Sequence, residues 1–169
     1  MCNYLLVGVV DEMVCFSLYA ATRATTQAYR PLLEPWGLTY PQYLVLILLW
    51  DGDNRAVRDL GERLELDSGT LSPLLRRMEQ AGFLKRARSA QDDRVVIVSL
   101  TERGGALEND LAHVPSCIAE GSGLTLGQAR ELTDALHRLT ACMHATTTGA
   151  TRTAEPPSGR HPAAADHER

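Results

Sequence analysis

The sequence predicts a mostly α-helical domain with one small β-hairpin, set between amphipathic helices at both ends. Three observations predict it. Residues 56–82 hold two short apolar-periodic segments joined by the turn Leu66-Asp67-Ser68-Gly69. Val95-Val96-Ile97-Val98 is a β-branched run that follows a polar, charged tip. Helical periodicity then holds on both flanks, before residue 33 and after residue 126. With 169 residues, 44% hydrophobic and 22% charged, the chain has the length and composition of one soluble domain with a real core.

The elements follow in order. Residues 1–10 form an apolar extension. Residues 11–33 predict a helix, with Val14, Leu18, Ala21, Ala28, Tyr29 and Leu32 near helical spacing. Glu34-Pro35-Trp36-Gly37 is a turn. Thr39 and Gln42 form a capping-box pattern with Pro41 in the first turn, so a second helix starts there and runs to Trp50. It is apolar nearly all round and belongs at the centre of the core. A short helix at about 56–65 turns Val57, Leu60 and Leu64 inward. Asp67 or Ser68 caps the next one, which carries Leu71, Leu74, Leu75 and Met78 on one face and ends at Gly82. Two short helices joined by a tight turn make a helix-turn-helix.

Residues 83–100 predict a hairpin with Ser89-Ala90-Gln91-Asp92-Asp93 at its tip, the wing of a winged helix. A helix at about 102–113 follows, and Pro115 interrupts it. The last helix, about 126–145, opens on Thr125-x-x-Gln128 and places Leu132, Leu136, Leu139 and Met143 on one stripe. Residues 147–169 have the composition of a disordered tail. The terminal helices carry more apolar surface than so small a core needs. They are expected to pair with a second copy, which places two reading helices in successive major grooves.

The net charge of −4 hides a local field. Residues 76–94 hold six basic and three acidic side chains, a net of +3, which leaves −7 on the rest. That is a localised footprint for DNA. Cys2, Cys15, Cys117 and Cys142 show no zinc spacing, and His113, His137 and His144 share no ligand spacing. No metal or cofactor is expected. No phosphate loop, paired-carboxylate site or nucleophile elbow appears. No run is long enough to span a membrane, and Tyr4–Val10 lacks a basic flank and is followed by Asp11-Glu12, so a cytoplasmic location with free thiols is expected.

Three blocks carry a resemblance: Thr39-Tyr40-Pro41-Gln42-Tyr43-Leu44, then Asp67-Ser68-Gly69-Thr70-Leu71-Ser72-Pro73-Leu74-Leu75-Arg76-Arg77, then Asp92-Asp93-Arg94. Over about residues 11–145 the chain resembles the MarR-type regulators. Val14-Cys15-Phe16 with Tyr19, Tyr29 and Tyr40 is similar to their organic-hydroperoxide-sensing branch, the OhrR repressors. The resemblance implies a homodimer on pseudo-palindromic double-stranded operator DNA. It implies that Cys15 is oxidised by an organic hydroperoxide, that tyrosines of the partner subunit hydrogen-bond its thiolate, and that DNA is then released. Low-molecular-weight thiols, or a second cysteine such as Cys117, would complete a disulfide.

Each candidate has a plainer reading. A lone helical cysteine is ordinarily a small buried hydrophobe. A reactive one needs its thiolate stabilised, which tyrosine hydroxyls can do by donating hydrogen bonds. Val14, Phe16, Leu18 and Trp50 would give Cys15 apolar surroundings that favour lipophilic peroxides. Tyr19, Tyr29 and Tyr40 could equally be edge-of-core residues. Cys117 is either a resolving cysteine or an inert thiol. Cys142 is expected in the core. For DNA, Ser68, Thr70 and Ser72 front the reading helix, with Arg76 and Arg77 a turn on. Lys85, Arg86 and Arg88 suit phosphates, and Arg94 suits a narrow minor groove. The expected function is a repressor, not an enzyme. The alternative is a MarR-type regulator that binds a phenolic or lipophilic ligand, with Cys15 structural.

Overall fold

A computed structural model describes Val10 and residues 13–150, the last four as helical backbone. The rest of the apolar extension, with Cys2, and residues 151–169 lie outside the described residues. Helix α1 spans Val14–Leu33, and a single 3-10 turn, Glu34–Trp36, ends on Gly37 with φ 67°. Helix α2 is Tyr40–Asp51 and starts on the expected capping box: the Thr39 N–H donates to Gln42 Oε1 at 2.8 Å. Strand β1 (Arg55–Ala56), helix α3 (Val57–Leu64) and helix α4 (Ser68–Gln80) follow. Strands β2 (Leu84–Arg88) and β3 (Val96–Leu100) form the wing. Helices α5 (Glu102–Asp110) and α6 (Val114–Ser122) close the first compact unit, which ends at Ser122. Helix α7, Leu126–Ala150, belongs to a second unit that begins at Gly123.

The core of the first unit is built where the apolar periodicities converge. Tyr43, Val45, Leu46 and Leu49 of α2 are buried with Leu60 of α3, Leu71, Leu74, Leu75 and Met78 of α4, Phe83, Leu84 and Val98 of the wing root, and Leu107, Leu111 and Val114. The mainly apolar α2 therefore lies central, as its sequence predicts. Asp67 is the residue that caps α4, through Oδ1 to the Thr70 N–H at 2.9 Å. Gly82 sits just past the end of α4 at φ 75°, a backbone state that glycine adopts without strain.

Four boundaries differ from expectation. The sheet has three strands in the order β1-β3-β2, because Arg55 pairs with Val98 and Ala56 with Ile97. A two-residue strand leaves no alternation to detect. The helix expected over 102–113 ends at Asp110, and a turn at 111–113 separates it from α6. Pro115 lies in the first turn of α6, where its missing N–H costs nothing, so it starts a helix rather than breaking one. Helix α7 continues to Ala150, four residues into the segment expected to be tail. Cys142, expected in the core, is exposed. On the stripe it accompanies, Leu132 is 48% exposed and Met143 49%.

Candidate sensor and DNA-binding surfaces

Two groups of residues occupy opposite ends of α1. At its start the Cys15 thiol is exposed. Tyr19 stands one turn on, the neighbour spacing of a helix face, and is 57% exposed. Arg23, a further turn on, reaches back: Nη1 donates to the Tyr19 hydroxyl at 3.1 Å, with the guanidinium 5.6 Å from the ring centre. At the other end Tyr29 meets α2. Its ring centre is 4.4 Å from that of Tyr40 and 5.9 Å from that of Tyr43. Trp50 joins this group, 6.1 Å edge-on to Tyr43, with its indole N–H donating to the Gly104 carbonyl at 3.0 Å. The structure thus groups Trp50 with the tyrosines and Gly104.

Helix geometry separates the two groups. Cys15 and Tyr29 are fourteen residues apart on one continuous helix, about 21 Å at 1.5 Å per residue. That is far beyond the reach of a tyrosine side chain. Within one subunit Tyr19 alone of the three candidate tyrosines neighbours Cys15. Burial, and then the adjacent Tyr40 and Tyr43 hydroxyls, raise the Tyr29 phenol above its usual pKa. Burial and then Tyr40 raise Tyr43 likewise. Both stay protonated at neutral pH and so remain hydrogen-bond donors. Arg23 and Tyr43 were not among the sequence candidates. Tyr43 falls three residues after Tyr40, on the same helix face, and that spacing was the available signal.

Most of helix α1 is exposed, apart from Tyr29, Leu32 and Leu33 at its end, which pack against the core. Leu33 is its one buried residue, while Val14 and Phe16 are exposed. Beside it, a cavity of about 700 Å³ is lined by Thr22, Thr26, Gln27, Arg30, Leu38 and Tyr40, among others. Cys117 is exposed and lies within α6.

The DNA-facing candidates differ in what already holds them, and Arg88 Nη1 donates to the Asp93 carbonyl at 3.2 Å. Ser68, Ser72, Arg76 and Arg77 are exposed on α4, and Lys85 and Arg88 on β2. Thr70 donates its hydroxyl to Asp67 Oδ2 at 3.0 Å, which leaves it an acceptor. Arg86 departs from the phosphate-contact expectation: it is half-buried, and its Nε and Nη2 bond Glu79 Oε2 at 3.0 and 2.7 Å. The pair ties the end of α4 to the root of the wing. Arg86 hydrogen bonds hold the Glu79 carboxyl below its usual pKa. At the wing tip Arg94 bonds Asp92 Oδ1 through Nε at 3.1 Å and through its backbone N–H at 3.0 Å. Among the described residues no cluster of His, Cys, Asp or Glu could hold a metal ion, and no helix is long and apolar enough to cross a membrane.

A helix-turn-helix with exposed cations on its second helix, flanked by a two-stranded wing in a three-stranded sheet, defines a winged-helix DNA-binding regulator. Comparison with known proteins narrows the class. A family model described as transcriptional regulator SarA/Rot matches residues 27–111. The organic hydroperoxide resistance transcriptional regulator of Bacillus subtilis is 43% identical over 135 residues, covering 80% of this chain and 92% of that protein. The HTH-type regulator TtmR of Methylorubrum extorquens is 43% identical over 136 residues, covering 80% and 70%. Among solved structures, reduced AbfR bound to DNA superposes with a TM-score of 0.69 at 32% identity, covering 79% of this chain and 92% of that one; AbfR is from Staphylococcus epidermidis. The chain belongs to the MarR-type transcriptional regulators, in the branch of the organic hydroperoxide resistance regulators. These relatives carry the names of regulators, not of enzymes.

Proposed function

We propose that this chain is a cytoplasmic, homodimeric repressor that binds pseudo-palindromic operator DNA when reduced and releases it when an organic hydroperoxide oxidises Cys15. The observation that carries the reading is the separation along α1. A cysteine about 21 Å from Tyr29 can meet that phenol only if a second subunit brings the opposite end of its own α1 alongside. The bare faces of α1 and α7 supply the surface for such pairing. The resemblance to the Bacillus subtilis regulator supports the inducer class, and the AbfR structures, solved reduced on DNA and in a disulfide form, support a redox-dependent DNA-binding cycle.

The chemistry balances within the site. The Cys15 thiolate attacks the hydroxyl-bearing oxygen of the hydroperoxide, the O–O bond breaks, and the leaving alkoxide takes a proton from water and departs as an alcohol. Cys15 becomes a sulfenic acid. A second thiol, from a small molecule or from Cys117 of the partner subunit, then displaces water and forms a disulfide. Each Cys15 reacts once per cycle, so the protein is a sensor and not a catalyst. Tyr29 and Tyr40 would steady the thiolate as donors, and Tyr19, oriented by Arg23, would act from the same helix.

A second reading has its own observation. The cavity of about 700 Å³ beside Tyr40 is large enough for a lipophilic ligand. One experiment separates the two. Fluorescence anisotropy follows the reduced protein on DNA from upstream of its gene while about one equivalent of cumene hydroperoxide is added. Release that dithiothreitol reverses and Cys15→Ser abolishes supports the redox repressor. Tight binding indifferent to peroxide refutes it and moves the inducer to the cavity.

A further inference from the structure

The turn from α2 to α3 is bonded more densely than a link of its length requires. Arg55 opens β1, with its backbone opposite Val98 of the wing strand β3. Its side chain is only 15% exposed. Nε donates to the Leu48 carbonyl in the last turn of α2 at 2.8 Å. Nη1 donates to Asp59 in the first turn of α3 at 3.1 Å, and Nη2 to Asp51 at 3.0 Å. Its neighbours add further ties. Asp53 Oδ1 accepts the Leu100 N–H at 2.8 Å, and Asn54 Oδ1 accepts the Ser99 hydroxyl at 2.9 Å.

The charges alternate in a favourable order. The Leu48 carbonyl lies at the negative end of the α2 dipole, and Asp59 lies at the positive end of α3. The guanidinium sits between them. A planar fork with several fixed donors can bond all three partners at once; an ammonium on a flexible stem cannot hold that arrangement. The far end of α2 carries Tyr40 and Tyr43. A helix of twelve residues is a rod of about 18 Å, so movement at the tyrosines is delivered at Arg55.

We propose that Arg55 is a positioning residue for operator release. It joins the tyrosine-bearing helix α2 to α3 and the wing, so that oxidation at the sensor shifts the DNA-reading elements as one body. The inference rests on the redox-repressor reading above and adds the route from sensor to DNA.

The test compares operator Kd for reduced and for cumene-hydroperoxide-oxidised full-length protein, with loss of the Cys15 thiol followed in parallel. In Arg55→Gln the ratio of oxidised to reduced Kd falls at least tenfold, while Cys15 oxidises at the wild-type rate. Arg55→Lys lowers the ratio less. A merely structural role would weaken both affinities in proportion and leave the ratio unchanged, and that result overturns the proposal. If Arg55→Gln does not fold, Asp59→Asn removes one of the three arms and must lower the ratio severalfold; an unchanged ratio there is equally decisive against it. Wild-type protein that keeps its DNA after oxidation defeats the redox reading and this coupling together. Wild-type release with an unaltered ratio in the variants defeats the coupling alone.

Discussion

The Tyr29 and Tyr40 rings lie 4.4 Å apart, centre to centre, and tilted by 35°. They bring the last part of α1 and the first residue of α2 into one aromatic contact. Within this pair the Tyr29 phenol, its pKa raised by burial and by the neighbouring tyrosines, is a protonated donor across the neutral range. Tyr29→Phe and Tyr40→Phe should each slow oxidation of Cys15 by about tenfold, the scale of one hydrogen bond to a charged group. Stopped-flow loss of free thiol against cumene hydroperoxide measures this. Unchanged rates in both variants would remove the pair from the sensor.

The wing cations should differ in their salt dependence. Lys85→Ala and Arg88→Ala should each lower the slope of log K against log salt by about one, the signature of one lost phosphate contact. Arg86→Ala should leave the slope nearly unchanged, because Glu79 already holds its guanidinium. It should lower thermal stability instead. Operator titrations at several salt concentrations, with a melting curve for each variant, decide between these outcomes.

The Glu79–Arg86 pair also predicts a pH dependence. The folded-state pKa of Glu79 lies below its unfolded value. Its stabilisation is therefore present above the unfolded value of about 4.3 and is lost as pH falls through the lower folded value. Wild type should melt above Glu79→Gln at neutral pH. The gap should narrow as pH falls below the unfolded value of about 4.3 and close only once the folded-state glutamate, whose pKa is lower, is itself protonated. A gap that persists into acid would show that the pair is not its source.

Gly104 and Gly105 should respond oppositely to the same substitution. A Cβ at Gly104 would collide with the Phe83 carbonyl, which is already accepting from the Thr101 N–H and hydroxyl. Gly104→Ala should cost about 3 kcal/mol or more. At Gly105 a Cβ meets nothing within 4 Å, so Gly105→Ala should gain about 0.5–1 kcal/mol from helix propensity. Urea unfolding of the two variants checks both signs.

The parts of the fold that were legible in sequence are those set by local chemistry. Thr39 and Gln42 announce α2 and Asp67 announces α4, since a cap needs a donor and an acceptor three residues apart. The Val96–Leu100 strand reads from its β-branched run. What escaped depends on distant partners. Arg55 pairs with Val98 across more than forty residues, and nothing near Arg55 marks a strand. Arg86 looks like any basic residue until Glu79 is placed beside it. Cys142 follows an apolar period that is real, yet periodicity states which residues share a face and not what covers it. The candidate sensor was legible as a list of residues. Its division between the two ends of α1 was not, since only a continuous rod from Val14 to Leu33 turns a count of residues into a distance.

The bond between Asp92 and Arg94 has a consequence for how the protein searches a genome. The Arg94 side chain is 91% exposed, yet its guanidinium already faces an oxyanion of its own chain. Asp92 is in this sense an imitation phosphate carried at the wing tip. In the proposed groove-reading role of Arg94, DNA would compete with this pair, and a pair so exposed to water is weak. If Arg94 has the proposed role, the acid beside it would make the wing a more fastidious reader.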